Sequence, residues 1–333
     1  MRSPFKSTLV VAVAVAVSGA VRMPLENHLA NDLRGAGLLP ADLEISTREK
    51  IGQTSAAVAL GGLRTLVATF LNLRAFTYFT EQRWASVDDT YRLILDLAPR
   101  TRYYWETASW HQAYNAAAHY MSDSELPALR RRELWRASIL RGREILEQGI
   151  VNLPDEWVLH ANLGFLLRDP NKIGAFPDPN EAFLASARAY ECASESPGAL
   201  SYTGRFVFYN LARVEGHEAE ALALGRKLFD EGPINHAPTL LCLIFVLDAW
   251  ENPEMDHSGR AIEIFGSPES AVEQLGMHWQ RVRERFPVHG VARALEELYE
   301  KLGTPEDQRV LNQPLPNQYD PEDWFRERAG RGD

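Results

Sequence analysis

Apolar positions recur every three or four residues over most of this chain, the period of helices that bury one face. Leu71, Ala75 and Tyr78 fall on one such stripe, Val87, Tyr91 and Ile94 on the next, and Pro99 closes the unit. Large, small and aromatic residues at those offsets let two antiparallel helices approach closely, and the proline stops the second. Val87, Tyr91, Ile94 and Pro99 are spaced 4-3-5, and the same spacing returns in Ala185, Ala189, Cys192 and Pro197 and again in Ala221, Gly225, Leu228 and Pro233. Three recurrences of one spacing mark a repeated helix pair.

The elements between these landmarks follow from the same pattern. Ser46 and Glu49 have capping-box spacing, so a long helix is expected to start there and run through Ala56, Leu60, Leu63, Val67, Phe70 and Leu71. Arg64 and Arg74 interrupt its apolar run below the length a bilayer requires. The next unit opens at Trp105 with Ala108 and Ser109, and its second helix is expected from about Pro127 to Gln148. There Leu134, Trp135, Ser138, Ile139, Gly142, Ile145 and Leu146 share one face, bordered by Arg132, Arg136 and Arg143. A third unit opens with Pro154, Trp157 and Ala161 and carries a turn-rich insertion from Asp169 to Pro179. Beyond Pro233 the register fades into helices expected over His236 to Trp250, Ser267 to Phe286 and His289 to Leu302. After Gly303 the chain is polar, with Trp324 and Phe325 as docking residues of a short last helix. No window alternates with period two between hairpin turns, so the expected class is all-α.

The N-terminus has a different character. Arg2 and Lys6 precede an uncharged run from Ser7 to Val21, rich in Val and Ala. A basic start before an apolar stretch of about 7–15 residues reads as an export signal. Ser18, Gly19 and Ala20 suit cleavage after Ala20, whereas continuation past a snorkelling Arg22 to Leu25 makes a retained anchor. Either way the body is placed outside the cytoplasm, held to the inner membrane or released into the periplasm. Net charge is −10, which argues against nucleic acid or an anionic lipid surface as a general partner. Cys192 and Cys242 are the only cysteines; they sit in apolar helical stretches and are read as buried free thiols, with pairing left open.

The 4-3-5 spacing, the Trp-x-x-Ala-Ser of Trp105 to Ser109 and the closing prolines resemble degenerate tetratricopeptide repeats. The chain is also similar to a set of N-terminally anchored bacterial envelope proteins through its Leu60-Gly61-Gly62-Leu63-Arg64 helix. The resemblance spans about Leu60 to Pro233. It implies a right-handed α-α superhelix of tetratricopeptide-like helix pairs behind a hydrophobic N-terminal export or anchor helix. The expected organisation is a signal anchor or signal peptide over 1–25, a short helix and linker over 26–46, the repeat domain over 47–303 and a polar tail over 304–333.

Chemistry-bearing motifs are sparse. His217-Glu218 lacks a second histidine four residues on, and His111 and His119 have no third ligand nearby in sequence, so no metal site is expected. No nucleophile elbow, phosphate loop or dinucleotide fingerprint occurs, so no cofactor and no catalytic residue is expected. In peptide-clamping repeats the first helix of each pair lines the concave side, which by resemblance implicates Asn162 and Asn210, five residues after Trp157 and Arg205. An amide there can donate to and accept from an extended backbone. Val158 stands where such clamps carry Lys, and the alternative is that these asparagines cap or cross-link helices.

A second candidate is the aromatic run Tyr103, Tyr104, Trp105, Trp110, Tyr114 and Tyr120. Within it Trp110 and Tyr114 are expected to face the groove and Trp105 the core. Glu106 accompanies them, and Asn72 and Arg213 complete the partner-binding set. The function expected is a non-catalytic adaptor or accessory subunit that binds another envelope or membrane protein. The alternative is an envelope enzyme or glycan-binding protein with an aromatic groove.

Overall fold

The structure, a computed structural model, describes residues 47–283 and 286–314, with side chains from residue 64 onward, together with positions 24 and 28. The export segment, the linker, Ser46 and the Trp324–Phe325 pair lie outside the described residues. All regular structure among the described residues is helical, with no strand. No described helix is long and apolar enough to cross a membrane. The chain divides into two compact units, residues 1–104 and 105–333.

In the first unit, α1 (Thr47–Thr80) and α2 (Trp84–Leu97) pack on each other. Ala75 on α1 and Val87, Tyr91 and Ile94 on α2 are buried, as the spacing requires, and α2 ends at Ala98 immediately before Pro99. Gln82 turns the chain between them with φ of 56°, the left-handed region that a bulky residue seldom adopts.

The second unit begins within α3 (Arg102–Trp110). This helix passes into a π-helical segment, His111–Ala116, and then α4 (Ala117–Ser122); all three precede the long α5 (Ala128–Asn152). Six of the seven residues expected on the inner face of α5 are buried, and Leu134 is half-buried. Close approach explains the small residues on that face. A Cβ on Gly142 would lie 2.6 Å from the Ala113 Cβ, and Ser109 Oγ donates to the Gly142 carbonyl at 2.9 Å.

The pair α6 (Trp157–Arg168) and α7 (Pro179–Glu195) repeats the device in mirror order. Gly164 on the first helix abuts the Tyr190 ring, and Ser186 Oγ donates to the Gly164 carbonyl at 2.7 Å. Asp178 caps α7 by accepting from the Asn180 N–H at 2.8 Å, with Pro179 at the first helical position. The insertion before it holds a 3₁₀ turn, Ile173–Ala175, and buries Ala175 and Phe176.

On α7 the expected stripe holds at Ala189 and is otherwise turned by about one residue. The buried set is Ala182, Ser186, Ala187, Ala189, Tyr190 and Ala193, which leaves Ala185 half-buried and Cys192 exposed rather than buried. Burial of the larger Tyr190 against Gly164 sets that rotation. Cys192 and Cys242 are both free, and only Cys242 is buried.

The last part begins with α8 (Tyr202–Leu211) and α9 (Glu218–Asp230), the latter burying Ala221, Gly225 and Leu228 as the spacing predicts. Next comes α10 (Pro238–Glu251), buried at every position from Leu240 to Ala249, so that no face of it is left for water. It packs on α8, α9, α11 (His257–Phe265) and α12 (Pro268–Val282), and α13 (Val291–Leu302) covers α11 and α12.

Helix α11 escapes the sequence reading. It is only nine residues long, and its start is set by Asp256, which accepts from the Gly259 N–H at 2.8 Å. Residues 306–312, expected to belong to a polar tail, form two 3₁₀ turns whose Val310 and Leu311 pack on the core.

Candidate functional site

An aromatic and cationic surface runs across α3 and the π segment, α6 and α8, the first helices of three successive pairs in the second unit. Trp110 and Tyr114 stack nearly parallel with ring centres 4.2 Å apart, and Phe165 on α6 continues the stack at 6.3 Å from Tyr114. Trp110 is 53% and Phe165 43% exposed, so the ladder faces outward. An α-helix carries i and i+4 side chains on one face, and here the wider π turn begins immediately after Trp110. Segments of this kind gather at functional positions. Ala113 and Ala116, wholly buried on the opposite side, anchor the segment against α5.

Beyond Phe165 the surface becomes cationic. The Arg168 guanidinium lies 4.2 Å from the Phe206 ring centre, 5.6 Å from Phe165 and 5.9 Å from Tyr190. Tyr190 and Phe206 stack at 4.9 Å, and Phe206 meets Tyr202 and Tyr209 edge-on at 5.6 Å each. Lys172, from the insertion, sits 4.3 Å over Tyr114 and pairs with Asp169 at 3.4 Å.

Burial first, and then Asp169, raises the Tyr114 phenol above its ordinary range; its hydroxyl is buried without a hydrogen-bond partner among the described residues. Burial likewise raises Tyr190 and Tyr209, opposed by Arg168 beside the first and by Arg205 and Arg168 beside the second. These phenols stay neutral donors and acceptors at any physiological pH.

The residues expected from sequence distribute unevenly over this surface. Trp110 and Tyr114 come together, as do Glu106 and Asn162, whose amide donates to the Glu106 carboxylate at 3.2 Å. Arg213 follows α8 and stacks on two rings, 3.3 Å from the centre of Phe286 and 5.0 Å from that of Phe183. Asn210 is wholly buried and donates to the Phe206 carbonyl of its own helix at 2.6 Å, so it offers a ligand no surface. Asn72 belongs to the first unit, where it accepts from the Tyr91 hydroxyl at 2.9 Å and ties α1 to α2.

Sequence reasoning missed Phe165, Arg168, Lys172 and Phe206. The signal for them was faint: Phe165 is the one exposed residue of α6, and Arg168 is a single cation at its end. No group of three or more His, Cys, Asp or Glu among the described residues is arranged to hold a metal ion. The arrangement sets stacking faces at one end and guanidinium groups at the other. No protein-family model matches the chain, and no curated protein matches it significantly.

Proposed function

We propose that this protein is a non-catalytic adaptor or accessory subunit of a bacterial envelope assembly, which holds a segment of a partner protein against the aromatic surface of α3, α6 and α8. The observation that carries the proposal is the ladder of Trp110, Tyr114 and Phe165, whose two end rings are left outward on helices whose other faces are packed. Exposed aromatic rings beside arginine are the commonest composition of binding hot spots. In this reading the helix pairs are divergent tetratricopeptide-like units wound into a right-handed superhelix, and α3, α6 and α8 line its inner side. An N-terminal signal anchor, or a signal peptide cleaved after Ala20, places the body in the periplasm, with the partner another envelope or membrane protein. The helix-on-next-helix packing and the prolines that follow α2 and α7 support the repeat reading.

The test is recovery of partners from detergent-solubilised membranes with the full chain and with W110A. The proposal expects one stoichiometric protein that W110A loses. Failure to recover any, with the chain folded and intact, refutes it.

A second reading, glycan binding, is favoured by the flat Trp110–Tyr114 stack, since sugar rings lie on such faces. It expects W110A to abolish retention on an envelope polysaccharide and to leave protein partners unchanged.

A further inference from the structure

Arg168 and Arg205 both lie beside Tyr209, Arg168 also covers Phe206, and Arg213, held between Phe183 and Phe286, is close enough to Arg168 to feel its charge. Arg205, Tyr209 and Arg213 follow one another at intervals of four along α8 and its end, and Arg168 comes from the end of α6. None of the three makes an ion pair with any described residue, in a chain with ten more acidic than basic residues. Elsewhere in the second unit the contrast is plain: Arg226 and Arg260 share the buried Asp248 carboxylate at 2.7 Å each and add Glu251 and Glu263.

Arg205 is engaged by neutral acceptors, the Ile234 carbonyl at 2.8 Å and Asn235 Oδ1 at 3.3 Å. Arg168 is held by rings and by the Tyr190 hydroxyl and Arg213 by rings, and each has a buried Nε without a hydrogen-bond partner among the described residues. Burial, followed by repulsion from Arg168, brings Arg213 down to about 9, far below an ordinary guanidinium. Like charges brought together out of water without a counter-charge are costly, and unsatisfied buried donors need an explanation. A bound anion supplies one.

We infer that Arg168 and Arg213, flanked by Arg205 and the Tyr190 and Tyr209 hydroxyls, form a site for a compact oxyanion, a carboxylate or phosphate group carried by the ligand of the aromatic surface. The fork of a guanidinium matches two oxygens of either group, and the rings fix each fork in place before the ligand arrives. The inference deepens the adaptor reading by making the bound segment acidic next to its apolar or aromatic contacts. It does not require that reading, because a small anion can occupy the same groups.

The experiment uses the full chain and two probes, inorganic phosphate and succinate, each titrated against a chloride background of equal ionic strength. Binding is read from the Nε–H signals of labelled arginine and from thermal protection. The expected result is saturable movement of the Arg168 and Arg213 signals, with affinity about tenfold weaker or worse in R213Q and R168Q. Stronger response to phosphate assigns a phosphorylated ligand, and stronger response to succinate an acidic side chain or chain end. Absence of saturation by both probes overturns the site, as does equal protection of the wild type and both variants. Should a variant not fold, the signals of the unsubstituted chain still decide. Failure of the unsubstituted chain to capture any partner, with anion binding intact, refutes the adaptor reading alone.

Discussion

The closeness of α5 to the π segment makes Gly142→Ala a sharp test of the packing described above. In a helix interior alanine is favoured over glycine by about 1 kcal/mol, so an unobstructed site gains by the change. At Gly142 the new Cβ meets the Ala113 Cβ at 2.6 Å and the Ala113 nitrogen and Ser109 carbonyl oxygen at 3.0 Å each. Ordinary carbon contacts lie near about 3.5–4.0 Å, so the elements must part by roughly 1 Å. None of these atoms is the end of a flexible side chain, so no rotamer change relieves the overlap. Parting them strains a buried hydrogen bond, Ser109 to the Gly142 carbonyl, worth about 1 kcal/mol. Overpacking adds about 1–3 kcal/mol.

Set against the propensity gain, the net is a loss of about 2 kcal/mol. Gly276→Ala is the control, since its Cβ would meet only Val310 Cγ1 at an ordinary 3.5 Å in the middle of α12. That variant gains up to about 1 kcal/mol. Urea unfolding followed by far-ultraviolet dichroism and by tryptophan fluorescence should move the two midpoints in opposite directions. A Gly142→Ala midpoint at or above the wild type refutes the argument from close approach.

Three further outcomes follow from side chains already placed. Burial of His278 lowers it to about 4, below its ordinary value near 6.5. The unfolded chain therefore takes up the proton first, and stability falls as pH drops from about 6.5 towards about 4, by about 3 kcal/mol in all; H278Q should lose that acid-dependent part when urea midpoints at pH 7 and pH 4 are compared. Cys192 is exposed, whereas burial pushes the Cys242 thiol up to about 12, so a maleimide should label one thiol of the native chain and the second only after unfolding. D248N should destabilise by about 2–3 kcal/mol in the same urea assay, somewhat below the usual loss for a broken buried pair, because Arg226 and Arg260 keep Glu251 and Glu263.

Features carried by single helices were legible in the order of amino acids alone. The prolines at 99, 197 and 233 stand just after helix ends, and the small residues Ala75, Gly142 and Gly225 sit at buried contacts, because spacing along one helix determines which residues share a face. What failed depends on which neighbour arrives. The stripe on α7 turned by one residue to seat Tyr190 on Gly164, and α11 was too short to show a period. The π segment has no compositional mark. The asparagines chosen by repeat position were drawn into bonds inside the fold, Asn210 to its own helix and Asn162 to Glu106. The arginine cluster was invisible for a simple reason: Arg168 and Arg213 stand 45 positions apart in the chain, and only folding unites them.

Helix α10, dry on every side, bears on how the polypeptide is made. Its upstream neighbours α8 and α9 are synthesised first, but α11 and α12 must follow before it is covered. A nascent chain halted between Glu251 and Pro268 presents an oily cylinder to chaperones and proteases. Premature stop codons there are accordingly expected to erase the product altogether, rather than leave a shortened form with the upstream pairs still in service.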